Sequence, residues 1–251
     1  MKYLTIVQNN EIAVLTLNRP AKKNAFNQSF LEELQNAVDK LTIDNGIRLL
    51  IITGSGENVF SSGVDLNELI TFKNINEARL FAVQLERTMA ALLRFPKPLI
   101  VAMNGHALGG GFGLAASADI RLITKEGKIG FPAVRLGAIL PIGCTLRINA
   151  LIGAGKTREL LLSGRMLNAQ EALTMGLVNK VCDKENLLDE AFNYAYNILK
   201  GSDEALRLTK EMTNQQLTVE TTQYTVNFAE SFAYLAFSDD WQNRINSFLK
   251  K

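Results

Sequence analysis

The chain has 251 residues, 47 % of them apolar, and its 27 Lys and Arg against 25 Asp and Glu leave a net charge of +2. That length and apolar share predict a globular α/β body with a sizeable core, and the interspersed charges form no basic stripe for a nucleic acid. One histidine excludes a multi-histidine metal site within one chain, the two isolated cysteines match no metal or redox spacing, and no apolar run is long enough to span a bilayer. The N-terminal stretch alternates like a strand and has no signal-peptide core, so a cytoplasmic protein with reduced thiols is expected.

In chain order, Tyr3–Val7 and Ile12–Leu17 read as a β-hairpin turning at Asn9-Asn10. Ser29 and Glu32 predict a capping box, opening a helix with Leu31, Leu34, Val38 and Leu41 on one face. "LLIIT" (49–53) is a continuous apolar run, as in a strand buried on both sides. The loop "GSGENVFSSGVD" leads to helical patterns over 66–70 and 76–94. A second round follows: strand "LIVAM", a Gly-rich loop, a helix from about Gly110, and strands "DIRLI" and "KIGF". The loop "PAVRLGAILPIG" precedes a helix over 144–152, and "NKVC" is the last strand. From Leu187 onward only helical patterns remain, over 187–199, 203–216, 219–236 and 240–249. "GAGKT" (153–157) lacks the first glycine of a phosphate loop, Ala150 standing there, and reads as a turn between two helices.

Two small-residue loops each follow a buried strand, the place where open α/β sheets hold ligands. "GHALGGGFGL" puts three glycines before a helix, whose first turn offers unpaired N–H groups and a positive dipole end. "SSGVD" makes the second turn, with Asp65 placed to cap the next helix. Two backbone N–H groups converging from such turns would form an oxyanion hole. A single loop of this kind is equally explained by close helix–strand packing; two at matching places favour function.

"FSSGVDL" followed by "NGHALGGGFGLAASADIRL" resembles the crotonase superfamily, the enoyl-CoA hydratase/isomerase family. "NRPAKKNAFN", "LSGRMLNAQEALTMGLVNKV" and the terminal "NFAESFAYLAFSDDWQNRINSFL" extend the likeness over nearly the whole chain. The resemblance implies an α/β spiral of β-β-α repeats over 1–186 and a helical C-terminal oligomerisation region over 187–251, forming trimers or hexamers. It implies an acyl-CoA substrate, with no other cofactor and no metal. Its thioester oxygen would rest on the backbone N–H groups of Ser62 and Gly110. Ala25, Phe26, Ser62, Gly63, Val64, Asp65, Leu66 and Gly109 would line the coenzyme, and Lys22 and Lys23 would face its phosphates or solvent.

The chain also departs from that family. Hydratases flank the added water with two glutamates, whose places hold Gly113 and Ala133 here. Some isomerases use an acid aligning with Pro141 or Ile142, again apolar. General acid–base groups contribute about 10²–10⁴ each, so water addition should be crippled while enolate stabilisation survives. Isomerisation, decarboxylation or thioester hydrolysis stays in range. Among replacement acids, His106 and Asp65 read as structural, the latter as a helix cap. Glu68, Arg79 and Glu86 follow the first turn on helices that either reach the acyl pocket or face water, and read as facing water; Arg135 reads as a surface or subunit-contact residue rather than a binder of a substrate carboxylate, and Cys144 as a packed small side chain. The rival readings are a quiet CoA-thioester binder and a decarboxylase of carrier-bound acyl groups. Phe228, Phe232, Leu235 and Trp241 look too numerous for one side of a helical layer and predict a subunit interface.

Overall fold

A computed structural model describes the backbone of residues 1–250 and the side chains of 1–215 and 226–250. A six-stranded sheet runs in the order β1 (Leu4–Asn9), β2 (Ile12–Leu17), β3 (Leu49–Gly54), β5 (Leu99–Met103), β7 (Ile120–Thr124), β10 (Lys180–Cys182). All of its pairings are parallel except the β1–β2 hairpin. A second sheet runs β4 (Val59–Ser61), β6 (His106–Leu108), β8 (Lys128–Gly130), β9 (Met166–Asn168). The pairs β3–β4, β5–β6 and β7–β8 each place one strand in the large sheet and the next in the small one; helices return the chain to the large sheet after β4 and β6, and after β8 the chain adds β9 before it returns at β10. That is the spiral of β-β-α repeats. The sequence reading missed β4, β6 and β9, three-residue strands set inside or beside the stretches read as loops and turns.

β3 and β5 are continuous apolar runs because both sheet faces are covered. Leu50, Ile52, Leu99, Val101 and Met103 point into the main core with α1 (Gln28–Ile43) and α3 (Ile75–Arg94). Leu49, Ile51, Ile100 and Ala102 point the other way, onto Leu187, Ala191 and Ala195 of α7 (Leu187–Ile198). The cap of α1 is corrected: Asn27, not Ser29, accepts the Phe30 N–H at 2.8 Å. Glu32 instead takes the Gln28 amide.

α2 (Leu66–Leu69) and α4 (Gly110–Ala116) start at the two small-residue turns. α5 (Ile142–Ser163) is broken at Gly153, whose φ of 77° and ψ of 159° make the turn expected within "GAGKT". α6 (Ala169–Met175) leads to β10. The expected break near 217 is absent, since α8 (Asp203–Ala236) runs through; α9 (Asp239–Leu249) follows.

The apolar tail is corrected as well. Phe228, Phe232 and Trp241 are buried by their own chain, and Leu235 is half-buried. The Phe232 ring stacks on Phe81 of α3 at 6.1 Å, and Trp241 packs against Gly137. Burying such a side chain is worth about 1.5–3 kcal/mol, so these residues fasten α8 and α9 to the core. Phe228, Phe232, Trp241 and Ile245 therefore belong to the same core cluster as the strands and helices before Leu187.

Candidate active site

β4 and β6 are adjacent parallel strands, so the turns following them lie side by side. The N–H groups of the first turn are almost all in use. Ser62 N–H donates to Lys23 O at 3.0 Å, Gly63 N–H to Ser61 Oγ at 3.1 Å, and Asp65 N–H to Phe26 O at 2.9 Å. Val64 N–H meets no acceptor among the described residues. Gly110 opens α4, and its N–H is one of the free donors that every helix start leaves. Of the expected pair, only the Gly110 donor is free, because the Ser62 donor is spent on the main chain; the free donor of the first turn is Val64.

The glycines bring those donors together. A Cβ on Gly63, which has φ +88°, would lie 2.4 Å from Gly110 N. On Gly111 it would lie 2.4 Å from Ser61 O, and on Gly110 3.2 Å from the Phe26 ring. Gly109 itself takes φ +58°. The run thus serves close packing and an exposed donor at once.

The turn at 19–26 supports this floor. Asn24, wholly buried with φ 52°, sends its amide to Phe60 O at 3.0 Å and Ser55 O at 2.9 Å, and accepts the Arg19 N–H. Its carbonyl takes the Ser61 hydroxyl at 2.8 Å. The sequence reading passed over Asn24; its signal was an Asn in a Lys-rich turn, a residue that tolerates left-handed backbone. Ala25 and Phe26 are buried, Lys22 and Lys23 are exposed, and Leu66 is half-buried. Asp65 caps α2 through Asn67 N–H at 3.1 Å and pairs with Arg19 at 2.7 Å. Burial pushes its pKa up, but the Arg19 and Asn67 donors outweigh that and hold it below the usual range.

The places that the family resemblance assigns to acids are filled by packing. A Cβ on Gly113 would lie 2.9 Å from Cys144 Sγ and 3.4 Å from Leu140. Ala133 sits in the 3-10 turn Pro132–Leu136, and Pro141 and Ile142 begin α5 with no side-chain cap of their own. Glu86 supplies one from α3. Its Oε1 accepts the Gly143 N–H at 3.0 Å, while its buried Oε2 has no hydrogen-bond partner among the described residues. The expectation that Glu86 faces water is overturned, since the residue is 1 % exposed. The signal was present: Glu86 follows Ala82 by four and precedes Met89 by three, on the apolar stripe of the helix. Burial raises its pKa, against the Gly143 and Ile142 N–H groups and Arg94.

The other candidates have settled roles. Glu68 accepts the Gln28 N–H at 2.8 Å, and Arg79 pairs with Glu230 at 2.6 Å on the surface. Both are thus tied to neighbouring elements. His106 Nδ1 accepts the Lys128 N–H at 3.2 Å, and burial and then the Lys128 charge lower its pKa, so it is neutral within the small sheet. Arg135 is exposed. Cys144 is buried, and burial first, then the Glu86 charge, push its thiol far up, so it is an inert packed side chain. A surface hollow of about 390 Å³ lined by Lys156, Arg165, Glu171 and Thr174 shares no residue with these turns. No helix is long and apolar enough to cross a membrane among the described residues.

A family model described as enoyl-CoA hydratase/isomerase matches residues 7–251. A crotonyl-CoA hydratase of Syntrophomonas wolfei subsp. wolfei is 36 % identical, over all of this chain and 97 % of that protein. An enoyl-CoA hydratase structure from Bacillus anthracis shares 31 % identity at a TM-score of 0.82, covering 99 % of this chain and 96 % of that one. The human mitochondrial delta3-delta2-enoyl-CoA isomerase shares the fold at a TM-score of 0.93 and 23 % identity, with coverage of 99 % and 97 %. With the match spanning nearly its whole length, the chain belongs to the enoyl-CoA hydratase/isomerase family of enzymes.

Proposed function

We propose that this enzyme binds an acyl-CoA thioester with its carbonyl oxygen between the N–H groups of Val64 and Gly110, and moves a double bond rather than adding water. The observation that carries this reading is the pairing of two free, adjacent donors with apolar residues at 113, 133, 141 and 142. Fixed donors of this kind are worth about 10²–10³ in rate each, and they stabilise an enolate whatever follows from it. Hydration needs acid–base groups on both sides of a water, whereas moving a double bond needs one group that gives back the proton it takes. Several relatives are named hydratases; the two glutamates that the family resemblance assigns to hydratases are absent here. Trimers or hexamers, as the resemblance implies, belong to the same reading.

Incubation with trans-3-hexenoyl-CoA and crotonyl-CoA, followed by chromatography and mass spectrometry, tests it. The expected result is conversion of the 3-enoyl thioester to its 2-enoyl isomer at unchanged mass, with crotonyl-CoA gaining water at least about 10²-fold more slowly. Faster hydration than isomerisation would overturn the reading.

A further inference from the structure

A buried carboxylate oxygen without a partner is rare, because leaving such a group unsatisfied costs more than a hydrogen bond returns. Glu86 carries one. Capping accounts for half of the side chain only: Oε1 holds the Gly143 N–H at the start of α5, and Oε2 is left over. Pro141 and Ile142, one or the other of which the family resemblance aligns with an isomerase acid, adjoin that hydrogen bond. Cys144, the residue after Gly143, meets the place where a side chain on Gly113 would begin. Gly113 in turn lies one helical turn beyond the Gly110 donor. The carboxylate from α3 thus enters the region that the main chain leaves without an acid.

Resting on the function proposed above, we propose that Glu86 is the proton-transfer group of this enzyme, standing in from α3 for the carboxylates absent at 113, 133 and 141–142. With a 3-enoyl thioester bound, Oε2 of the Glu86 carboxylate takes a proton from the carbon next to the thioester. The electron pair of that C–H bond becomes a dienolate, whose charge collects on the thioester oxygen at Val64 and Gly110. The protonated Glu86 then returns the proton to the fourth carbon, and the electrons close a double bond between the second and third. No water, oxidant or second base enters. The charged or titratable groups around it are Arg94 on its own helix and Cys144 on α5. Burial raises its affinity for a proton, which suits a group that must hold one and release it.

Glu86→Gln keeps an oxygen for the Gly143 N–H and removes the base. Its thermal midpoint should match or exceed the wild type, and its affinity for saturated hexanoyl-CoA should stay within about threefold by calorimetry. Isomerisation of trans-3-hexenoyl-CoA should fall at least about 10²-fold. Glu86→Asp should lie between, and the low-pH limb of the wild-type kcat profile should vanish in Glu86→Gln. A folded Glu86→Gln that isomerises within about threefold of wild type overturns the proposal and leaves the isomerase reading standing. A parallel loss of midpoint, affinity and rate in both variants also overturns it, by making Glu86 a structural cap. Exchange of the α-hydrogens of hexanoyl-CoA in D2O separates the two readings. A wild type that exchanges without isomerising, with exchange abolished in Glu86→Gln, sinks the isomerase reading alone. A wild type that neither binds, exchanges nor isomerises sinks both.

Discussion

Asp65 and Glu86 are both buried carboxylates, yet their surroundings push them in opposite directions. Asp65 has Arg19 at 2.7 Å and holds the second turn in place. Its folded pKa is depressed, so its stabilisation is complete above the unfolded value of about 3.9 and is lost as pH falls through the folded one. Asp65→Asn should cost about 1.5–3 kcal/mol at pH 7, the range for a hydrogen bond to a charged group. The gap from wild type should close below pH 4 in thermal melts; a gap independent of pH would contradict the pairing. For Glu86 the sign reverses. A raised folded pKa means the folded state binds the extra proton, so wild type loses stability relative to Glu86→Gln as pH rises from about 4.3 through the folded value. Melts between pH 4 and 8 should show Glu86→Gln gaining on wild type; a widening loss would show that the charged form is the favoured one. The sequence displayed Asp65 as a cap because the turn signal is local. Glu86 stood on the apolar stripe of its helix between Ala82 and Met89, but its partner, the Gly143 N–H, is 57 positions away and no local signal announces it.

At the scale of elements, the start of α5 and the first turns of α4 are packed so closely that the family's glutamate cannot simply be restored. Cys144 Sγ stands 2.9 Å from where a Cβ on Gly113 would lie. Gly113→Glu alone should therefore cost about 1–3 kcal/mol through overpacking. Gly113→Glu with Ala133→Glu and Cys144→Ala should hydrate crotonyl-CoA more than tenfold faster than wild type, with each single change gaining much less, because two acids acting on one water do not add. Melting curves and hydration rates check both statements; an unstrained, active Gly113→Glu single variant would contradict the packing. The long strands and the helical stripes were legible in the sequence, the former as continuous apolar runs and the latter by their helical period. The short strands β4 and β6 were not, and with them went the register that decides which N–H of "SSGV" is free. Ser62 and Val64 differ only in a hydrogen bond to Lys23, a residue about forty positions away.

For the whole molecule, the order of strands, loops and helices was readable because each β-β-α round repeats the same local pattern. The docking of α8 on α3 was not, so Phe228, Phe232 and Trp241 were assigned to a subunit contact that their own chain satisfies. Tyr234, Phe237 and Phe248 remain exposed on the C-terminal helices, at 71 %, 37 % and 53 %. Together with the family resemblance, these side chains support a trimer or hexamer. Light scattering at micromolar protein should give three or six times the chain mass of 27.7 kDa; a monomer would contradict it. In the proposed enzyme, free backbone donors and one carboxylate from α3 meet on the same thioester. A crystal structure with hexanoyl-CoA bound tests it most directly. The thioester oxygen should lie about 2.7–3.1 Å from both Val64 N and Gly110 N, with the Glu86 carboxylate against the α-carbon. A carbonyl held elsewhere, or an acyl chain screened from Glu86 by Cys144 and Leu140, would contradict it.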